Sequence, residues 1–248
     1  MRYDLTELVF ILDKSGSMHE LVEDTIGGFN SMIEQQKKEP GEARITTVLF
    51  DNNYYILHND MDIKEIEPIS EEEYRPGGMT ALLDAVGKTI NDIGIKLKNI
   101  PEEERPGKVV VVIMTDGYEN SSREYSRETV KKMIEHQQEK YSWTFIFLGA
   151  DIDAASEASS IGIDSGWSRT YTKSSAGQSS AYTAVTDSLS AVRNVGYSYA
   201  MSMNSSNSEG VSTSCSNGES SSVGCQMSKE EMEKKMEDEA KKALDSVI

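Results

Sequence analysis

The chain has 248 residues, of which 37% are hydrophobic and 27% charged, with a formal net charge of −17. That length suits one large domain or two small ones with a substantial core. The acidic balance argues against nucleic acid or an anionic membrane as main partner, because both require a positive face.

The apolar run near the start, Leu8-Val9-Phe10-Ile11-Leu12, is short, flanked by acids and preceded by no basic segment. It reads as neither a signal peptide nor a membrane span, and cytoplasmic residence is the expectation. The continuous run instead predicts a strand buried on both faces, over Glu7–Leu12. Leu21, Val22, Ile26, Phe29, Met32 and Ile33 then recur at helical spacing up to Pro40-Gly41. Arg44–Phe50 and Tyr54–His58 flank Asp51-Asn52-Asn53 as a hairpin, hence an antiparallel pair. A second helix is marked by Ala81, Leu82, Ala85, Val86, Ile90, Ile93 and Leu97. The valine-rich stretch Lys108–Thr115 reads as another doubly buried strand, followed by a helix over Arg127–Lys140 and a strand over Trp143–Leu148. A small-residue helix (Asp153–Ser160), a short strand (Ser168–Tyr171) and a longer helix (Gln178–Tyr199) complete the set. Strands alternating with helices predict an α/β fold. The expectation is a doubly wound, mostly parallel sheet with one antiparallel edge strand and helices on both faces.

The expected division is a domain over residues 1–201, a Ser-rich linker over 202–228 and an amphipathic helix over 229–248. From about Ser202 the composition turns to serine, asparagine and glycine. Ser228 and Glu231 have the spacing of a capping box for the terminal helix, whose stripe is Met232, Met236, Ala240, Leu244 and Val247. That helix either packs on its own domain or engages a partner. Cys215 and Cys225 fall in the serine-rich stretch; they form no disulfide framework, and no Cys/His set for zinc exists.

The strand ends carry the chemistry. Asp13-Lys14-Ser15-Gly16-Ser17 follows the first buried strand, placing one carboxylate and two hydroxyls at alternate positions where they can face one point. Gly77-Gly78-Met79-Thr80 precedes the second helix, and Asp116-Gly117 follows the valine strand. Taken singly, these are turn and cap residues. Together they place oxygen donors from three loops at one edge of a sheet that binds ligands beyond its carboxyl ends. Hard oxygen donors with few charges suit Mg²⁺ or Mn²⁺.

The ordered set Asp13, Ser15 and Ser17, then Thr80 in Gly-Gly-Met-Thr-Ala-Leu, then Asp116 in Met-Thr-Asp-Gly, resembles the von Willebrand factor A (VWA) family and its metal-ion-dependent adhesion site. The resemblance covers roughly residues 1–200, and is similar to the stand-alone VWA proteins of bacteria and their phages. It implies metal contacts by Ser15, Ser17 and, depending on state, Thr80, with Asp13 and Asp116 reaching the ion directly or through water. It also implies one coordination position left for water or for a Glu or Asp carboxylate of a partner protein.

Two carboxylates bring a divalent ion near neutrality and leave it able to accept an anionic ligand, so a binding module and not an enzyme is the expectation. A metal-assisted hydrolase or phosphotransferase is the alternative and would need a positioned base. His19 reads as an exposed helix-start residue, and no P-loop, G-x-S-x-G or G-x-G-x-x-G occurs. Lys14 should aim away from the ion. Asp84, a turn after Thr80, is either an acceptor behind the site or a surface acid. An adaptor using the terminal helix is a third reading.

Overall fold

The computed structural model describes residues 1–208 and 227–245, with only the backbone for 204–208. Six strands form one sheet: β1 (Arg2–Asp13), β2 (Glu42–Phe50), β3 (Tyr54–Asp62), β4 (Pro106–Thr115), β5 (Thr144–Ala150) and β6 (Ser168–Tyr171). Their order is β3-β2-β1-β4-β5-β6, and all neighbours are parallel except the β2–β3 hairpin at one edge. The doubly wound architecture and its antiparallel edge strand are as the sequence led one to expect.

The central pair explains the two longest apolar runs. Leu8–Leu12 of β1 and Val109–Met114 of β4 are all buried, because both faces of these strands lie under helices. The helices are α1 (Val22–Gln36), α2 (Leu82–Lys98), α3 (Arg127–Tyr141), α4 (Ala154–Ser160), α5 (Ser175–Ser208) and α6 (Lys229–Asp245). From β1 the chain winds outward to β2. From β3 it returns across the sheet to β4, on the other side of β1. Right-handed crossovers in opposite directions put α1 and α2 on opposite faces. On one face Phe29 of α1 meets Phe10 of β1 edge-on, ring centroids 5.5 Å apart, and Gln36 of α1 donates to the Thr186 carbonyl of α5 at 3.0 Å.

Strand β1 begins earlier than its apolar run suggests. Its polar start is held by pairing, with Arg2 opposite Pro106 and the Arg2 N–H donating to the Arg105 carbonyl at 2.7 Å. Helix α5 continues to Ser208, so the first residues of the stretch read as linker are helical backbone. The remainder of that stretch, with Cys215 and Cys225, lies outside the described residues, as does Val247.

Helix α6 packs on its own domain. Met232, Met236, Ala240 and Leu244 are buried, and the Ser188 hydroxyl of α5 donates to the Ala240 carbonyl at 2.9 Å. The capping box forms in both directions, Glu231 N–H to Ser228 Oγ at 3.1 Å and Ser228 N–H to Glu231 Oε2 at 2.8 Å. At the other end Arg169 of β6 donates to the Leu244 carbonyl at 3.2 Å and pairs with Asp245. Of the described helices, none is long and apolar enough to cross a membrane.

Candidate metal centre

The chain reverses its winding direction between β1 and β4, and a doubly wound sheet opens a crevice beyond the carboxyl ends of such a strand pair. Asp13 ends β1 and Asp116 follows β4, so two carboxylates flank that crevice by topology alone. Both are buried, as are Ser15 and Thr80, whereas Ser17 is exposed and gives the cluster a path to solvent.

The side chains are joined in sequence. Thr115 Oγ1 donates to Asp13 Oδ2 at 2.6 Å, and the Ser15 N–H donates to Asp13 Oδ1 at 2.6 Å. The Ser15 and Ser17 hydroxyls lie 3.2 Å apart, and Ser17 Oγ donates to Asp116 Oδ1 at 2.6 Å. Thr80 reaches the same place from the second loop. A Cβ on Gly117 would stand 3.2 Å from Thr80 Oγ1 and 3.9 Å from Ser17 Oγ, so the two hydroxyls border one spot beside Asp116. All five residues expected from the sequence are therefore brought together. Thr115 and Tyr74, which donates its hydroxyl to the Asp13 carbonyl, complete the surroundings.

Burial dominates the electrostatics. It pushes the Asp13 carboxyl up to about 6 from 3.8, even though hydrogen bonds from Thr115 and Ser15 pull the other way and the neighbouring Asp116 adds repulsion. The outer oxygen of Asp116, Oδ2, is buried without a hydrogen-bond donor. Its ion-pair partner is Lys173 Nζ, 3.1 Å away. Buried carboxylates short of positive charge, beside uncharged hydroxyls, are the donor chemistry that a hard divalent cation satisfies. The residues present fit such an ion. Among the described residues no group of three or more His, Cys, Asp or Glu side chains gathers elsewhere as a metal cluster.

The loops hold one another rigidly. Lys14 turns away from the carboxylates, as expected, to pair with Asp51 at 3.1 Å and to lie 4.2 Å over the Tyr55 ring. The Gly77 N–H donates to the Lys14 carbonyl at 2.8 Å and the Gly16 N–H to the Gly78 carbonyl at 3.1 Å, tying the first loop to the second. Gly78 has φ +74°, and a Cβ there would fall 2.2 Å from Asn52 Oδ1, so both conformation and space call for glycine. The loop after β4 is stapled to the start of α2. Asp84 accepts the N–H groups of Arg123, Glu124 and Tyr125 at 2.8, 2.9 and 2.8 Å. Of the two readings of Asp84, this one makes it a support behind the site.

Two residues with no part in the sequence reading act the same way. Glu119 accepts the Leu83 N–H at 2.9 Å, and Asn120 Oδ1 accepts the Thr80 N–H at 2.9 Å. Their only sequence signal is a polar run after Asp116. Of the histidines, His19 is exposed on the 3₁₀ turn Gly16–Leu21 that also carries Ser17, His58 meets Thr47 in the hairpin, and His136 is on α3 beside Tyr141.

Compared with known families, residues 7–188 match the von Willebrand factor type A domain. The chain belongs to that family. No curated protein matches at a significant level. Among solved structures, this VWA chain is similar to proximal thread matrix protein 1 from the mussel byssus, with a TM-score of 0.52 and 18% identity over 73% of this chain and 45% of that one. It is similar to a von Willebrand factor type A protein from Catenulispora acidiphila, with 0.52 and 13% over 76% and 42%. It is also similar to the manganese-loaded TRAP protein of Plasmodium vivax, with 0.52 and 15% over 69% and 70%. The VWA chain thus spans less than half the length of the mussel and Catenulispora proteins. At these identities the likeness is one of fold.

Proposed function

We propose that this VWA domain is a divalent-metal-dependent protein-binding module. Ser15, Ser17 and Thr80 would supply hydroxyl oxygens, while Asp13 and Asp116 would supply the charge, directly or through water. Mg²⁺ and Mn²⁺ are the ions such a set prefers. The ion, when bound, offers an electrophilic position to a Glu or Asp carboxylate of a partner protein, a charge-assisted and directional contact.

The observation that carries this reading is the hydrogen-bonded path Thr115–Asp13–Ser15–Ser17–Asp116, with Thr80 alongside, at the point where the sheet reverses direction. Two features favour binding over turnover. No histidine takes part in that path, and the loops are clamped to each other by side chain–backbone hydrogen bonds, which suits a fixed presentation of one ion.

The Plasmodium vivax neighbour is a manganese-loaded structure, and Mn²⁺ is also a convenient probe. Titrating Mn²⁺ into the chain, followed by calorimetry and by water-proton relaxation, should show binding that vanishes in Asp116→Ala. An added acidic peptide should lower the relaxation enhancement of the bound ion by displacing water from it. A chain that binds no Mn²⁺, or binds it equally well without Asp116, would refute the proposal. Peptide addition without effect on bound Mn²⁺ would refute the carboxylate-capture part alone.

A further inference from the structure

The ion pair between Lys173 and Asp116 belongs to neither the family motif nor the support of the loops. Asp116 has a side chain with 0% exposure, and its Oδ2 has no hydrogen-bond donor. The Lys173 ammonium stands 3.1 Å from that oxygen, on a side chain that is 32% exposed. A lysine stem thus reaches in from the solvent side and delivers one positive charge to a buried carboxylate oxygen of the site that lacks a donor.

We propose that Lys173 is a built-in competitor for the metal: it neutralises Asp116 when no ion is present and must withdraw before a divalent cation is held tightly. This inference rests on the proposed metal site. The charge count supports it. Asp13, Asp116 and Lys173 together carry one net negative charge if both acids are ionised. Adding a divalent ion while Lys173 stays in place brings two cations together beside a buried carboxylate. Their repulsion in such low-dielectric surroundings is large. With Lys173 turned outward the same site is neutral. Without Lys173, conversely, a metal-free site leaves Asp116 as a buried charge with no cation beside it, which is costly.

The backbone limits how Lys173 can move. It lies between the end of β6 at Tyr171 and the start of α5 at Ser175. The turn is tight: the Ser174 N–H donates to the Thr172 carbonyl at 2.7 Å, and the Thr172 and Ser174 hydroxyls lie 2.9 Å apart. A Cβ on Gly177 would sit 2.4 Å from the Thr172 carbonyl oxygen. The loop is fixed, so the four-carbon lysine stem is what swings. Metal affinity is then set by a rotamer change of one exposed side chain, which costs little and is fast.

The test compares the full chain with Lys173→Met, which keeps the stem and removes the charge, using Mn²⁺ as the probe. Calorimetry should show Mn²⁺ bound about tenfold or more tightly by the variant. In EDTA the variant should melt at a lower temperature than the parent, and the rise in melting temperature on adding Mn²⁺ should be greater. Equal Mn²⁺ affinities, or a weaker one in Lys173→Met, would overturn the competitor role while leaving the metal site standing. If neither chain binds Mn²⁺ by either readout, the metal site and the competitor fall together.

Discussion

Strand β4 buries a charge of opposite sign at each end, and the two ends are treated differently. At its amino end Lys108 is buried and donates to the Ser142 carbonyl at 2.6 Å. Ser142 closes α3 in the left-handed conformation, φ 54°, so the ammonium caps the negative end of a helix. Burial lowers Lys108 to about 8 from 10.5, with Glu233 and Glu237 of α6 opposing the shift. Just past the carboxyl end, Asp116 and its neighbour Asp13 are buried among hydroxyls, and the nearest cation is a side chain from another loop. The cation at the amino end is answered by a fixed backbone dipole, which completes a structural joint. The anions at the carboxyl end are answered only by neutral groups and one partly exposed lysine, which leaves them suited to take a cation from outside. Burial of a charge by itself does not mark a site; what faces the charge does.

That contrast can be broken most sharply at the carboxyl end. Asp116→Ala should weaken Mn²⁺ binding by about a hundredfold or more, whereas Lys108→Met should leave it within about twofold. A comparable loss in both variants, read by calorimetry, would erase the distinction between site and joint. Next in size is the packing of α6 beside the amino end. Leu244→Ala opens a cavity at a fully buried position and should cost about 2–5 kcal/mol in urea unfolding without altering Mn²⁺ affinity. A coincident change in affinity would show that α6 and the site are coupled.

Lys108 itself supplies a third test, with a definite sign. Its folded value of about 8 lies below the unfolded 10.5, so the unfolded chain binds more protons between those values. The cost of burying the ammonium is therefore full below pH 8 and disappears as pH rises towards 10.5. The stability of Lys108→Met relative to the parent should fall by about 2–3 kcal/mol as pH rises through that window. A difference constant with pH would mean that the lysine is not desolvated as its burial indicates. The smallest effect is expected from Asp84→Asn, which keeps the shape but weakens three N–H contacts to the loop after β4. About 1 kcal/mol of stability should be lost, and Mn²⁺ affinity should fall only a few-fold. An unchanged affinity would show that the staple serves the fold and not the site.

Much of this was readable from residue patterns. Apolar runs such as Val109–Met114 announce doubly buried strands, and Ser228 with Glu231 announces a helix start that forms as spaced. The five residues of the candidate centre were legible because their order and spacing resemble the VWA motif, with Asp13 and Asp116 falling at strand ends and Thr80 just before α2. Glu119, Asn120 and Lys173 were not. Glu119 and Asn120 bond to residues some 36 to 40 positions away, and Lys173 to one still farther off. Nothing local in the sequence distinguishes them from loop polar residues. Glu7 is similar: it looks like a flanking acid, but is buried against Lys96 at 2.7 Å and Thr46 at 3.0 Å.

The central place of β1 has a dynamic counterpart. Leu8–Leu12 are paired to β2 on one side and β4 on the other. Amide protons there should exchange with solvent only through opening of the whole domain. The segment after Asp116, held through side chains such as Asp84 and Glu119, should exchange by smaller local openings. The two carboxylates thus hang from supports of different expected protection: Asp13 ends a strand paired on both sides, while Asp116 opens a segment held through side chains.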